Sequence, residues 1–284
     1  MTDRTSLSFS KLEALGNDFV LIDGRITPFR PDQRTAELIA DRRLGVGCDQ
    51  LLVLEACEGP AALCRVAIYN ADGSMAEQCG NGMRAVALWL HQRGELDHEA
   101  CLLTAAGPVP VRIEPDGTIS AGLGTPDFQA SAWGRAAEDD AWTETVDGRG
   151  QAIWGVSMGN PHLVLDLSQP ADPEQVMAIG SHFQNHPRLP HGANINLAWR
   201  EDRESVVLRV HERGAGPTLA CGSGACATAA VLGRAGLIDS PVRIRQPGGE
   251  LVIHWNRPDG TIAMSGPARH VFDGTFIVST PELT

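Results

Sequence analysis

Two short stretches of the chain repeat one pattern: Cys79–Ala87 reads CGNGMRAVA, and Cys221–Ala230 reads CGSGACATAA. The second stretch begins 142 residues after the first, in a chain of 284 residues. In both stretches a cysteine and two glycines precede a run of apolar residues with helical spacing. A repeat at half the chain length predicts two copies of one structural unit, provided that other landmarks recur at the same offset.

Three further landmarks do recur in the same order, each displaced by 142 or 143 residues. A constant order and offset indicates duplication rather than coincidence among the 31 glycines of the chain. We therefore predict two copies of one unit, each about half of the chain. The landmarks are GNDFVLID at Gly16 and GNPHLVLD at Gly159, Asn70 and Glu212 nine residues before the two cysteines, and PDGTI at Pro115 and Pro258.

Each half mixes the patterns of strands and helices, which predicts an α+β fold. Apolar runs such as SLSFSKLEA and DFVLID predict strands, and the two PDGTI stretches predict hairpin turns. The weakly periodic segment 124–150 is expected to connect the halves, and its Trp133 and Trp142 are expected to pack against the protein. Helices are predicted over residues 33–42, 81–93, 173–184 and 223–236.

The charge composition of the chain indicates which kinds of binding partner are unfavourable. Asp and Glu number 35 against 23 Lys and Arg, which gives a net charge of −12. This charge disfavours nucleic acid and anionic membranes, because both select basic surfaces. No run approaches the ~18 apolar residues of a membrane span, and the first residues lack the apolar block of a signal peptide. We therefore expect a cytoplasmic protein.

The seven cysteines predict neither a disulfide framework nor a metal site. Their number is odd, their spacings are long, and the sequence contains no C-x-x-C pair and no H-E-x-x-H motif. We expect no bound metal. Apart from Cys79 and Cys221, the cysteines are interpreted as small structural residues.

Cys79 and Cys221 each stand where a helix is predicted to begin, with Asn81 and Ser223 as the predicted N-caps. The first turn of a helix has unpaired N–H groups and the positive end of the dipole, which favour a bound carboxylate and an ionised thiol. Duplication suggests a cleft with one cysteine on each wall. That arrangement suits inversion of a stereocentre, in which one thiolate removes a proton and the opposing thiol supplies another.

Six stretches follow one another in order between residues 15 and 227: LGNDFVLID, GVGCDQ, YNADGSMAEQCGNGMRA, MGNPH, HERGAG and ACGSGACA. In these stretches the chain resembles the diaminopimelate epimerases. The resemblance implies interconversion of LL- and meso-diaminopimelate with no cofactor and no metal, and a homodimer with a small-molecule substrate. It implies two pseudo-symmetric α/β domains, each a curled mixed sheet around a central helix, with the active site in the cleft between them. The last strand would return to the first domain, so we expect the domains to be 1–123 plus 268–284 and 124–267.

The resemblance also implies roles for single residues. Cys79 and Cys221 match the acid–base pair, and His162 and Glu212 match residues that could assist proton transfer. The family pattern GAGET is replaced here by GAGPT, with Pro217, which leaves the details of that loop open. The positions that match substrate-binding residues are Asn17, Gln50, Asn70, Gly80, Asn81, Asn160, Asn194, Glu212, Arg213, Gly222 and Ser223.

Several alternatives stay open on sequence grounds. Residues 155–159 fit the G-x-S-x-G elbow of serine hydrolases, but the following NPHLVLDL predicts a strand where the elbow needs a helix. GNGMRA and GSGACA fit a loose dinucleotide-binding pattern, but they follow loops rather than strands. The main alternatives are a proline or hydroxyproline racemase that uses the same two-cysteine chemistry, and a two-domain protein that binds an amino acid without catalysis.

Overall fold

The chain forms two compact units, Met1–Ala121 with Pro267–Thr284 and Gly122–Gly266. The computed structural model describes residues 4–57, 61–133, 141–146, 149–256 and 260–279. The domain boundaries predicted from the sequence differ from the limits of the units by one or two residues, and we keep them as a proposal.

The first unit is a mixed sheet with two helices. Its second helix carries the first repeated motif, and the first helix begins with Asp32 as N-cap, whose side chain accepts the N–H of Thr35. The elements are β1 (Arg4–Ala14), β2 (Asn17–Asp23), α1 (Gln33–Ala40), β3 (Gln50–Glu55), β4 (Cys64–Asn70), β5 (Met75–Ala76), α2 (Gly80–Gln92), β6 (Glu99–Thr104), β7 (Gly107–Ile113) and β8 (Ile119–Gly122).

The second unit repeats this order after a short 3₁₀ turn at Ala130–Trp133. Its first helix begins at Pro173, and the N-cap Asp172 forms a capping box with Gln175. The elements are β9 (Ala141–Val146), β10 (Arg149–Ser157), β11 (Pro161–Leu167), α3 (Pro173–Gln184), β12 (Asn194–Arg200), β13 (Ser205–Glu212), β14 (Gly216–Thr218), α4 (Gly222–Arg234), β15 (Val242–Gln246), β16 (Gly249–Trp255) and β17 (Ile262–Gly266). The last strand, β18 (Arg269–Ser279), belongs to the first unit.

Strand pairing is the same in the two units. In the first, β1–β2 is antiparallel, β2–β3 parallel, β3–β4 antiparallel, β4–β6 parallel and β6–β7 antiparallel. The second unit has the same series: β10–β11 is antiparallel, β11–β12 parallel, β12–β13 antiparallel, β13–β15 parallel and β15–β16 antiparallel. An antiparallel outer strand completes each sheet, β18 on β1 and β9 on β10. The predicted α+β class and internal duplication are confirmed.

The second helix of each unit is the centre of its core. α2 packs against β1, β2, β7 and β18, and α4 packs against β10, β11, β12 and β15–β17. In α4 every residue from Gly224 to Gly233 is buried, as expected for a helix that is apolar on all sides. None of the four helices in the described part of the chain has the length and apolar character that a membrane span needs.

The predicted helices agree with the observed ones to within two residues at each end. The first predicted hairpin turn lies between β7 and β8, with Gly117 at φ 83°. The second turn includes residues 257–259, which lie outside the described residues. Trp133 is fully buried and stacks on Trp142 with ring centroids 6.1 Å apart, so the tryptophans of the weakly periodic segment do pack into the protein.

Position 155 requires a glycine because the Trp133 ring lies against it, and not because the residue belongs to a nucleophile elbow. A Cβ at position 155 would lie 2.1 Å from Cε2 of the buried indole ring. Ser157 ends β10, and β11 follows from Pro161, so this stretch lacks the strand–turn–helix geometry of a serine hydrolase.

Replacing Gly155 by alanine is expected to lower the free energy of unfolding by about 1–3 kcal/mol, because the new methyl group forces the Trp133 ring to shift. Chemical denaturation would measure the change. Gly150→Ala in the same strand is the matched control, because its Cβ would lie 3.7 Å from Thr143, an ordinary contact. Equal unfolding free energies for the two variants would contradict the packing argument.

Candidate active site

Each motif cysteine caps its helix with its own sulfur. Cys79 has extended backbone angles, φ −148° and ψ 102°, and its Sγ accepts the N–H of Gly82 at 3.3 Å. Cys221 has φ −124° and ψ 108°, and its Sγ accepts the N–H of Gly224 at 3.4 Å. Both sulfurs therefore lie against the first turn of a helix, where N–H donors and the helix dipole favour negative charge.

The prediction that Asn81 and Ser223 are the N-caps is wrong. α2 begins at Gly80 and α4 at Gly222, so both polar residues lie inside the first turn. The sulfur occupies the acceptor position that an asparagine or serine oxygen usually fills, because the cysteine is the residue with extended angles.

A chain of polar contacts joins Cys79 to the start of β2. The Sγ of Cys79 lies 3.9 Å from Oδ1 of Asn17, which also accepts from Nδ2 of Asn81 at 3.4 Å. Nδ2 of Asn17 donates to Asp49 Oδ2 at 3.0 Å. Sequence reasoning missed Asp49, although it directly precedes Gln50 in the GVGCDQ stretch.

Gln50 and Asn70 form a cross-strand pair in the same unit. Nε2 of Gln50 donates to Oδ1 of Asn70 at 3.0 Å, and Asn70 Nδ2 donates to Ser74 Oγ at 3.1 Å. Because β2 and β3 are parallel and β4 is antiparallel to β3, the start of β2, the start of β3 and the end of β4 lie at one edge of the sheet. The structure therefore places Asn17, Gln50 and Asn70 at the edge where Asn17 contacts Cys79. We name Asn17, Gln50, Asn70, Cys79 and Asn81 the first half-site.

The second unit has an equivalent set at the equivalent edge. Asn160, Asn194 and Glu212 correspond to Asn17, Gln50 and Asn70 in strand position. Gly222 and Ser223 begin α4 as Gly80 and Asn81 begin α2. We name the following residues the second half-site: Asn160, His162, Asn194, Glu212, Arg213, Cys221 and Ser223.

His162 is fully buried and is surrounded by asparagines. Its Nε2 lies 3.0 Å from Asn160 Oδ1 and 3.5 Å from Asn194 Nδ2, and its Nδ1 lies 3.2 Å from Nδ2 of Asn196. Burial lowers the pKa of His162 to about 3; the Asn196 hydrogen bond opposes this and the Arg213 charge adds to it. A neutral ring at physiological pH favours a role in holding the asparagines over a role as a proton donor.

The electrostatics of Cys221 favour the thiol. Burial raises the pKa of Cys221 well above its ordinary value, and the nearby Glu212 charge raises it further. The Ser223 hydroxyl, 3.5 Å from Sγ, and the Gly224 N–H oppose this rise. Glu212 is itself fixed, since Oε1 accepts from Thr218 Oγ1 at 2.6 Å. The protonated thiol is therefore the favoured form of Cys221.

Arg213 follows Glu212 directly and is exposed. Its backbone N–H donates to Asn194 Oδ1 at 2.9 Å, and Nη1 donates to the carbonyl of His191 at 3.1 Å. Pro217 lies in β14 opposite His211 and leaves the Thr218–Glu212 bond intact. The proline is tolerated because β14 is a three-residue strand that, among the residues the structure describes, pairs with β13 on one side.

Sequence reasoning missed two further contacts of the second half-site. Asn196, two residues after Asn194 on β12, points its amide at His162 and at the carbonyl of Leu163. Gln246 accepts the backbone N–H of Cys221 at 2.8 Å. The alternation in ANIN could have indicated Asn196, because residues i and i+2 of a strand share a face.

Within the described residues, one group of three side chains has metal-ligand spacing: Glu144, His182 and His186, whose donor atoms lie within 4.8 Å of one another. Contacts to the carboxylate explain why these side chains lie close together. Oε1 of Glu144 lies 2.7 Å from Nε2 of His182, and Oε2 lies 3.2 Å from Nε2 of His186. The N–H of Arg188 points at Nδ1 of His186, which leaves the ring proton on Nε2 toward Glu144. The expectation of no metal stays a prediction.

Comparison with known protein families identifies the family to which this chain belongs. The family model described as diaminopimelate epimerase matches residues 9–129 and 155–271, which include both half-sites. The chain belongs to the diaminopimelate epimerase family. Two relatives named diaminopimelate epimerase are similar to it over nearly their whole length. That of Azoarcus sp. (strain BH72) is 42% identical over 94% of this chain and 98% of its own. That of Thioalkalivibrio sulfidiphilus is 42% identical over 95% and 98%.

Solved structures extend the fold beyond the diaminopimelate epimerases. A phenazine biosynthesis protein of the PhzF family from Bacillus anthracis aligns with a TM-score of 0.71 at 16% identity, over 96% of this chain and 100% of its own. A hydroxyproline epimerase from Agrobacterium vitis aligns with a TM-score of 0.71 at 13% identity, over 98% and 93%. At these identities the likeness concerns the fold alone.

Proposed function

We propose that this member of the family interconverts LL- and meso-diaminopimelate, with Cys79 and Cys221 as the acid–base pair. The observation that carries the proposal is the pair of cysteines capping matched helices in the two copies of the unit. Family membership supports the substrate. We further expect the enzyme to be a cytoplasmic homodimer that needs no added cofactor.

The proposed reaction transfers one proton at each face of the α-carbon. The thiolate of one cysteine removes the α-proton and becomes a thiol, and the electron pair stays on the α-carbon and its carboxylate. The thiol of the other cysteine gives its proton to the opposite face and becomes a thiolate. The chemistry requires that one sulfur reach each face of the α-carbon. After one turnover, the two cysteines have exchanged their protonation states. The raised pKa of Cys221 suits it to the thiol role in the first turnover.

The first turns of α2 and α4 are proposed to hold the reacting α-carboxylate. Their N–H groups, which include those of Gly80, Asn81, Gly222 and Ser223, have no acceptor within the helix. The positive ends of the helix dipoles offset the charge that grows on the carboxylate as the proton leaves. This stabilisation would apply in both directions, as a reversible epimerisation needs.

The other polar residues are proposed to recognise the rest of the substrate. Asn70 and Glu212 would accept from the α-ammonium group, and the guanidinium of Arg213 would pair with the distal carboxylate. The remaining amides would bind the distal ammonium and carboxylate groups; they are Asn17, Gln50, Asn160 and Asn194. His162 would hold Asn160 and Asn194, given its contacts to both.

The test is incubation with LL-diaminopimelate in deuterated water without added cofactor. We expect meso product that carries one solvent deuterium at the inverted carbon, detected by mass spectrometry after chiral separation. Turnover of proline or hydroxyproline in place of diaminopimelate would overturn the substrate and keep the two-cysteine chemistry. Binding of diaminopimelate without exchange of the α-proton would instead favour a protein that binds an amino acid.

A further inference from the structure

Arg84 is a fully buried cation on α2, one turn after Asn81. Its Nη1 donates to Oδ1 of Asn81 at 2.9 Å, an i to i+3 contact along the helix. Removing a guanidinium from water is costly, so a buried arginine is retained where its hydrogen bonds matter. The bond of Arg84 is directed at a residue of the first half-site.

This bond fixes the direction of two side-chain amides. With Oδ1 of Asn81 bound to Arg84, Nδ2 faces Oδ1 of Asn17 at 3.4 Å. Nδ2 of Asn17 then donates to Oδ2 of Asp49 at 3.0 Å. An amide has a donor end and an acceptor end, so a cation at one end of the chain and a carboxylate at the other leave one orientation for both amides.

The amide of Asn17, in the middle of this series, also faces the sulfur of Cys79. Oδ1 of Asn17 lies 3.9 Å from Sγ, so an acceptor rather than a donor faces the thiol. That oxygen is shared between the thiol and Nδ2 of Asn81. When Asn81 donates to it, it holds the thiol proton less firmly. The orientation of Asn81 therefore influences how readily Cys79 becomes a thiolate.

The second unit has no copy of this arrangement among its described residues. At the 142-residue offset, Arg84 is replaced by Cys226 and Asn81 by Ser223, and Cys226 is buried. There the asparagine Asn160 is held by His162 instead. The surroundings of Cys79 and Cys221 thus differ, although the two helices are equivalent.

We propose that Arg84 is a positioning residue that acts through Asn81 to set the state of Cys79. Its effect on turnover rests on the proposed function, whereas its effect on the reactivity of the thiol does not. Without Arg84, Asn81 no longer donates in a fixed direction to Asn17. The Asn17 oxygen then holds the thiol proton more firmly, which favours the protonated form of Cys79.

The test compares Arg84→Met with the matched control Arg65→Met, which removes an exposed arginine from β4 of the same unit. Two quantities are measured on folded protein: kcat/KM with diaminopimelate, and the rate of alkylation of each cysteine by iodoacetamide, followed by peptide mass spectrometry. Cys221 in the same molecule is the internal reference. We expect Arg84→Met to slow alkylation of Cys79 at least threefold relative to Cys221 and to lower kcat/KM at least tenfold.

Dependence on Asn81 separates positioning from a merely structural role. In an Asn81→Ala background, Arg84→Met should cause less than a twofold further change in either quantity. Asn81→Asp, which keeps an acceptor for Arg84 but loses the donor to Asn17, should reproduce the slow alkylation of Cys79 even if Arg84→Met does not fold.

Three outcomes would overturn the proposal: an unchanged ratio of Cys79 to Cys221 alkylation in Arg84→Met, equal effects of that change with and without Asn81, or wild-type alkylation in Asn81→Asp. If the wild-type protein fails to epimerise diaminopimelate but the alkylation ratio still shifts, the proposed function falls and this inference stands.

Discussion

Replacing either Cys79 or Cys221 by alanine is expected to lower the rate of epimerisation at least about a thousandfold, because each cysteine alone serves one face of the substrate. Each variant keeps one sulfur that can still act as a base. We therefore expect each to exchange the α-proton of one stereoisomer with solvent, without inversion, and the two variants to prefer opposite isomers. Mass spectrometry and chiral separation of diaminopimelate after incubation in deuterated water would measure both effects.

The matched control is Cys101→Ala, which removes a half-buried thiol from β6 of the first unit. This variant should turn over at close to the wild-type rate. Retention of more than a tenth of wild-type epimerisation by either active-site variant would refute the two-cysteine mechanism. Exchange of both isomers by one variant would refute the assignment of one sulfur to each face.

Replacing Arg213 by methionine is expected to lower kcat/KM for diaminopimelate about a hundredfold, mainly through a higher KM. The proposed bidentate bond to the distal carboxylate would be lost, and charge-assisted hydrogen bonds of this kind contribute about 1.5–3 kcal/mol each. The side chain is well placed for this role because it is exposed while its backbone N–H is fixed by Asn194. Steady-state kinetics with both stereoisomers would measure the effect.

Arg243→Met is the control for charge and size, since Arg243 is an exposed arginine on β15 of the same unit. Unchanged kinetics in Arg213→Met would remove Arg213 from the substrate site. A variant that loses kcat but keeps KM would place Arg213 in the chemical step instead of in substrate recognition.

The repeated motifs were sufficient to predict the duplication and the helices, because Gly-rich helix starts and apolar periodicity are local signals. The N-caps could not be predicted from residue preference, since the sulfur of the preceding cysteine took the capping position. Of the two outer strands, β18 was expected, since the resemblance implied that the last strand returns to the first domain. The other, β9, was hidden because it lies in the weakly periodic segment 124–150.

The residues of the candidate site were proposed from motifs and from the family resemblance, but the contacts between them were not. Cys79, Asn17 and Asn81 were identified from their motifs, whereas their link to Asp49 depends on side chains that are distant in sequence. The role of Arg84 was hidden for a different reason. An arginine in a helix usually lies in solvent, and its complete burial becomes evident only when the helix packs into the core.

Because β1 pairs with β18, the direction of translation determines when the first sheet can be completed. β1 is translated before the second unit, whereas its partner on one side, Arg269–Ser279, is translated after it. At about 5–20 residues per second, roughly 10 to 50 seconds separate the translation of the two strands. The whole of Gly122–Gly266 is translated in that interval. The first sheet therefore gains its outer strand only after every strand of the second unit has been made.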